Sequence, residues 1–427
     1  MNIVARINGR QRHDTLPMTR LKRLLAPGAL QGLLGEASEI LRLGSAHIET
    51  VKINRVHPRS DGGFVLDVIS APGRQQLFIE VVADDIGEAE KKIRHRHLKQ
   101  QERLGQVMPL HLHTDRTTGS IVRLKGEDEL IDGLVAVTRS DCGMPGFDFS
   151  RSEPKLLAHR LNRRAVIMLE NLDGARMVWK TYKKSSQKAQ AAVVLHELLI
   201  STAFGESSPV RVPDVLGQSQ RWPGYLMKSV DGVAVGDLKG SARCNGMSLA
   251  GLALGRLHGL PLRLQTHHSL EEELVLLQSW VDLTSSLFPP RAATLAKAFA
   301  HVARLLSDTA DLTADCIVHR DFHEGQVIVA GIRATLIDFD TACNGEPALD
   351  IGNFLAHLDH SALSTGISTE DDAAAFIKAY QSTTASVSDA RVRAHRAATL
   401  LRLSCIHALP LRGETVANAL IDKALAQ

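Results

Sequence analysis

The segment Cys316-Ile317-Val318-His319-Arg320-Asp321-Phe322-His323-Glu324-Gly325-Gln326-Val327-Ile328-Val329 sets two apolar runs on either side of a polar loop. A second run, Leu336-Ile337-Asp338-Phe339-Asp340, follows closely. Apolar runs this short read as strands at Ile328–Val329 and Ala334–Ile337. Any fold must therefore hold a loop rich in hydrogen-bonding and ionisable groups between strands, and return Asp338 toward it.

That arrangement suits phosphoryl transfer. The reaction asks little covalent chemistry of a protein; it needs an acceptor hydroxyl in line with the transferred phosphate and cations to neutralise charge. Asp321, in the loop, is placed to orient the hydroxyl and take its proton. Gln326 and Asp338 offer a carbonyl and a carboxylate oxygen, the donor types magnesium takes.

These residues, with Gly345-Glu346-Pro347-Ala348-Leu349-Asp350-Ile351-Gly352-Asn353-Phe354 further on, resemble the signature of the aminoglycoside phosphotransferase and choline kinase-like family. The segment Leu249–Leu260, carrying Gly255-Arg256-Leu257-His258, is similar to the family's helix ending in Leu-His. The resemblance spans about Glu153–Leu409. It implies the bilobal fold of protein kinases, with ATP (or GTP) and Mg2+ as cofactors. Asp321 is then the catalytic aspartate, Asp338 a metal ligand, and Asp350 a structural aspartate bracing the loop. His319 is expected to brace it too. Two positions depart from the pattern. Gln326 stands where asparagine is usual, keeping the carbonyl but adding a methylene and a rotatable bond. Arg320 stands where most members acting on small molecules have glycine.

The preceding stretch reads as a small β-rich lobe. Lys155–Arg160, Ala165–Leu169 and Arg176–Tyr182 are extended runs, with a hairpin turn at Asn171-Leu172-Asp173-Gly174. Gln187–Phe204 has helical spacing, and Gly224–Val230 is a further apolar run. Lys180 lies on the third run, where a buried lysine is costly unless it meets an anion; the resemblance makes it the residue on the α/β-phosphates. An edge strand would instead let it snorkel to the surface. Glu197 is the only acid in the following helix and is the candidate partner of Lys180. There is no glycine-rich loop. Leu161-Asn162-Arg163-Arg164 takes its place, where Asn162 suits a tight turn. Arg163 and Arg164 either contact phosphate or decorate a solvated hairpin tip. Met227–Val230 would be the hinge offering backbone groups to adenine. Beyond it, Leu249–His258, Leu270–Leu287, Ala292–Leu306, Ala348–Leu358, Asp371–Gln381 and Arg391–Leu409 repeat apolar residues at three and four.

The fold class expected is α+β: an N-terminal α+β domain over 1–150, a kinase-like N-lobe over 151–230 and a helical C-lobe over 231–427. The first part repeats an order seen in the second. Lys52–His57, Gly63–Ile69 and Gln76–Val82 precede the helix Asp85–Leu104, with Glu80 near the place of Lys180. A degenerate copy of the small lobe and an unrelated cap are both open. Glutamate would repel phosphate, so no second nucleotide site follows.

Other signals are weaker. His111 and His113 share a strand face without a visible third ligand. His95 and His97 cannot converge on one helix, and Glu88–Arg103 reads as a solvated helix face. His323 and Glu324 either touch substrate or shape the loop.

A net charge of +3, with 44% apolar and 23% charged residues, argues against a nucleic-acid or membrane partner. No run reaches the roughly 18–20 apolar residues that cross a bilayer. Met1–Asp14 lacks the apolar core of a signal peptide. Five dispersed cysteines, Cys142 among them, fit reduced thiols, so the expected location is the cytoplasm. The acceptor would be a hydroxyl of a small metabolite such as a sugar, aminoglycoside or amino alcohol. A peptide Ser/Thr kinase of natural-product biosynthesis and a nucleotide-binding pseudokinase are the alternatives. Oligomeric state is not encoded in any of these features.

Overall fold

The computed structural model describes residues 16–38, 40–41, 48–59, 61–71, 74–137, 143–144, 147, 153–170, 174–183, 186–205, 207–309, 315–383, 387–408 and 414–427. Met1–Asp14, Cys142 and all of the 171–174 turn except Gly174 lie outside them. The chain is α+β and forms two compact units. One holds His13–Val194 and Val215–Ser229; the other holds Leu195–Asp214 and Val230–Gln427. The division falls inside the helix Ser186–Thr202.

The first unit contains two five-stranded sheets. One is built from β1 (Thr50–Pro58), β2 (Phe64–Ala71), β3 (Gln76–Val81), β4 (Leu112–Asp115) and β5 (Ser120–Leu124), in the order β1-β2-β3-β5-β4. The other uses β6 (Lys155–Arg160), β7 (Arg164–Glu170), β8 (Arg176–Tyr182), β10 (Val215–Gln218) and β11 (Gly224–Lys228), in the order β6-β7-β8-β11-β10. Each is a three-strand meander, then a helix, then a hairpin whose second strand pairs with the third of the meander. The helices are Ile86–Leu104 and Ser186–Thr202. Asp85 caps the former by accepting the N–H of Glu88, which satisfies one of the orphan donors of a helix start. The apolar residues of the short helix Asp132–Val137 pack with Ala165, Ile167 and Trp179, joining the first part of the chain to the second sheet.

The second unit is mostly helical. Its small strands are β9 (Val210–Arg211), β12 (Val233–Ala234), β13 (Cys316–Val318), β14 (Val327–Ala330), β15 (Arg333–Leu336) and β16 (Cys343–Gly345). They form a four-stranded sheet, β12-β14-β15-β9, and the pair β13-β16. The hairpin β14–β15 turns on Gly331-Ile332, with Gly331 at φ +60°; glycine reaches that region without the usual steric penalty. Around the strands lie Gly240–His258, Leu270–Leu287, Ala292–Asp308, Pro347–Thr365, Glu370–Gln381, Asp389–Ala408 and Glu414–Leu425. Gly240–His258 and Glu370–Gln381 approach so closely that a Cβ on Gly251 would lie 2.2 Å from the carbonyl oxygen of Phe376.

Six expected helices keep their bounds within about two residues, ordinary end fraying, but Gly240–His258 starts nine residues before the expected Leu249. The expected Ala348–Leu358 continues to Thr365. No helix among the described residues is long and apolar enough to cross a membrane, and the described cysteines, Cys244, Cys316, Cys343 and Cys405, are free.

Candidate active site

The loop after β13 is anchored at both ends and in its middle. Val318 belongs to a strand pair, and Val327 begins β14. Between them Phe322 is fully buried, packed against Phe354 and Phe376, and Asn353 donates to its carbonyl at 2.8 Å. Asp321 thus sits one residue from an immobilised side chain while remaining partly exposed itself.

Asp350 holds the start of the loop. Its carboxylate lies in the first turn of the helix Pro347–Thr365, fully buried, and accepts the backbone N–H groups of His319 and Arg320 at 2.6 and 2.7 Å. His258 approaches the same carboxylate through Nε2 at 3.2 Å. Because an ionised carboxylate only accepts, Nε2 carries the proton, and Nδ1 accepts from the Tyr380 hydroxyl at 2.9 Å. Such charge-assisted bonds are short and strong, which is what a buried carboxylate needs. Asp350 is the brace that the sequence resemblance implies.

The clamp also accounts for Arg320. Its φ is +66°, a left-handed conformation that L-residues adopt at a cost. Glycine would adopt that conformation without strain; here the Asp350 acceptor holds an arginine in the same shape.

The far side of the loop is joined to the next strand. Ile337 donates its N–H to the backbone carbonyl of Gln326 at 3.0 Å. His319 donates from Nε2 to the Ile337 carbonyl at 2.9 Å. Ile337 is therefore gripped from both sides, and Asp338 follows at φ +63°. Gln326 is 9% exposed. The donor set fits magnesium, one neutral and one anionic oxygen held on adjacent backbone. Near it, Oε2 of Glu324 is buried with no hydrogen-bond partner among the described residues. His323 accepts the Gly325 N–H on Nδ1 at 3.0 Å and stacks on His357, centroids 4.8 Å apart. Burial first, and then the neighbouring His323 and Arg402, hold His357 well below the ordinary histidine range, so its ring is neutral.

In the other unit, Lys180 sits at the centre of its sheet. It pairs with Val166 on β7 and Tyr225 on β11 and is 3% exposed. The snorkelling edge-strand lysine is ruled out. Met227 lies on β11 opposite Val178, and Arg164 opens β7, half-buried. Glu197 lies on the helix Ser186–Thr202, in the unit of the loop.

The tip between β6 and β7 is only partly solvated. Asn162, at φ +59°, donates its N–H to Asp128 at 2.6 Å, and Leu161 is buried with Val65 and Phe78 of the first sheet. His159 donates from Nε2 to the same carboxylate at 3.1 Å and accepts the Gly126 N–H on Nδ1. Burial alone would raise the Asp128 pKa, but the bonds and charges from His159, Arg123 and Asn162 outweigh it, and the group is lowered. Arg163 at the tip is exposed.

A model of the phosphotransferase enzyme family matches residues 157–395, more than half the chain. The chain belongs to that family. Among curated proteins, none matches it. This family member is similar to the solved choline kinase of Cryptosporidium parvum, at 12% identity over 69% of this chain and 94% of that one, TM-score 0.48. It is similar to a spectinomycin phosphotransferase solved with ADP and spectinomycin, at 12% identity over 69% and 98%, TM-score 0.47. A choline/ethanolamine kinase family protein from Mesorhizobium loti gives 15% identity over 69% and 92%, TM-score 0.46.

His258, Tyr380, Asn353 and His357 were not singled out in the sequence for these roles. Only the Leu-His ending of the helix Gly240–His258 gave any signal.

Proposed function

We propose that the chain transfers the γ-phosphate of ATP to a hydroxyl of a small metabolite. The observation that carries this reading is the two-sided hold on the loop: Asp350 fixes its start, and the Gln326–Ile337 bond fixes its end. Between them Asp321 orients the acceptor hydroxyl and takes its proton. Gln326 and Asp338 would hold Mg2+, which when bound neutralises charge on the transferring group. Lys180 neutralises the α/β-phosphates; Glu197, exposed on its helix, is given no part in this. Met227 lies on the strand leading to the adenine hinge, and Arg164 stands beside the phosphates. The place of Lys180 on a central strand of its sheet, 3% exposed, supports this assignment.

Asp321→Asn tests it. A positioned base contributes about 10²–10⁴ in rate and little to ground-state binding. Transfer from ATP should fall by that factor while nucleotide affinity, read by calorimetry, stays within about twofold. Turnover near wild type would remove Asp321 from the mechanism.

A further inference from the structure

The glutamine at 326 has a longer, freer side chain than the asparagine it replaces, so something must aim its oxygen. Gln326 Nε2 lies 3.3 Å from His323 Nε2. His323 Nδ1 already accepts the Gly325 N–H, and a neutral imidazole with one accepting nitrogen carries its proton on the other. Nε2 of His323 is therefore a donor. Two N–H groups cannot face each other, so the amide takes the orientation turned by half, which leaves its shape unchanged and brings the oxygen to His323.

We infer that His323 is a positioning residue: it donates from Nε2 to one lone pair of the Gln326 carbonyl and leaves the other aimed at the metal. Partners of this kind, one bond removed from the ion, set the orientation of a ligand. The ring is itself fixed. His357 stacks on one face at 19° between planes. A Cβ on Gly325 would lie 2.7 Å from His323 Cε1, so glycine is what lets the ring lie against the backbone.

A competing reading makes His323, Glu324 and His357 a metal site of their own, since their donor atoms lie within 4.8 Å of one another. The stack argues against it. Imidazole lone pairs lie in the ring plane, and two stacked rings hold theirs in separate, nearly parallel planes that do not meet at one ion.

The inference rests on the proposed metal role of Gln326, and the experiment separates the two. Asparagine at 323 keeps an acceptor where Nδ1 stood but loses the donor to Gln326; glutamine keeps a donor where Nε2 stood. Nucleotide binding is measured by calorimetry as a function of Mg2+ for wild type, His323→Asn and His323→Gln, each with Gln326 and with Gln326→Asn. The expected result is a Mg2+ requirement raised about 10–100-fold in His323→Asn, with metal-free nucleotide affinity unchanged. His323→Gln should restore it to within about threefold, and in the Gln326→Asn background His323→Asn should change little. A purely structural cap would give the reverse order, with asparagine tolerated and glutamine not. Nitrogen-15 spectra of the metal-free protein should show His323 protonated on Nε2. Protonation on Nδ1, or a wild-type Mg2+ requirement in His323→Asn, overturns the inference and leaves the proposed function standing. Mg2+-independent binding in the wild type overturns both. Zinc bound one per chain and lost in His357→Gln would restore the competing site.

Discussion

The two five-stranded sheets share one strand order and carry charges of opposite sign at the matching position. Glu80 lies on β3 six residues before the helix Ile86–Leu104, and Lys180 lies on β8 six residues before Ser186–Thr202. Each pairs with the neighbouring meander strand and the hairpin strand, Glu80 with Val65 and Ile121, Lys180 with Val166 and Tyr225. The first sheet satisfies its buried charge internally. Arg123, fully buried, bonds Glu80 at 3.1 Å and also Glu129, while Arg59 reaches Glu80 from the rim. Burial, reinforced by Asp128, raises the Glu129 pKa against the pull of Arg123. The second sheet carries a cation at the same place. One architecture thus carries an acid in one copy and, in the other, the lysine proposed to meet phosphate. The support is literal: Asp128 and the Val65–Phe78 surface hold the β6–β7 tip.

This contrast can be broken by experiment. Arg123→Met should cost the most, about 3–5 kcal/mol of stability in denaturant unfolding, because it takes the buried partner from Glu129 and leaves Glu80 with Arg59 alone. Replacing Glu80, Arg123 and Glu129 together by apolar residues of similar size should recover most of that loss. A stable single variant would show that the first sheet does not depend on internal neutralisation.

Lys180→Met comes next and should behave oppositely. Loss of a preorganised cation over phosphate typically costs about 10²–10³ in rate, read by transfer assays on a variant that denaturant unfolding shows to be folded. Reduced stability with intact transfer would return Lys180 to a structural role.

Asp128→Ala should have the smallest effect. It frees Asn162 and His159, a loss of about 1.5–3 kcal/mol for a hydrogen bond to a charged group. Part of this should appear as a nucleotide KM raised roughly tenfold, with kcat retained. An altered acceptor KM and an unaltered nucleotide KM would place the first sheet's influence on the other substrate.

The loop was legible because its groups are few and close in sequence: Asp321, Gln326 and Asp338 lie within one strand–loop–hairpin. Lys180 was legible as a cation in an apolar run. The brace at Asp350 came only through resemblance, since the thirty-odd residues between it and His319 leave no periodic trace. The His323–Gln326 contact depends on a ring tautomer and an amide orientation, which no spacing encodes. Gly240–Ser248 hid its helix because glycine, serine and asparagine dilute the period even where Gly246 and Met247 are buried. β13 and β16 are three residues each, too short for alternation to register. The sequence left the β6–β7 tip between phosphate contact and solvent, because its cover, Val65 and Phe78, lies about eighty to a hundred residues upstream.

Asp350 grips peptide N–H groups, which every residue but proline provides. The side chains that would meet the acceptor of the proposed reaction take no part in this grip, so they can change without loosening the loop, much as a chuck holds any drill bit by its shank. On the proposed function, a lineage can explore new acceptors one substitution at a time while Asp321 stays aimed.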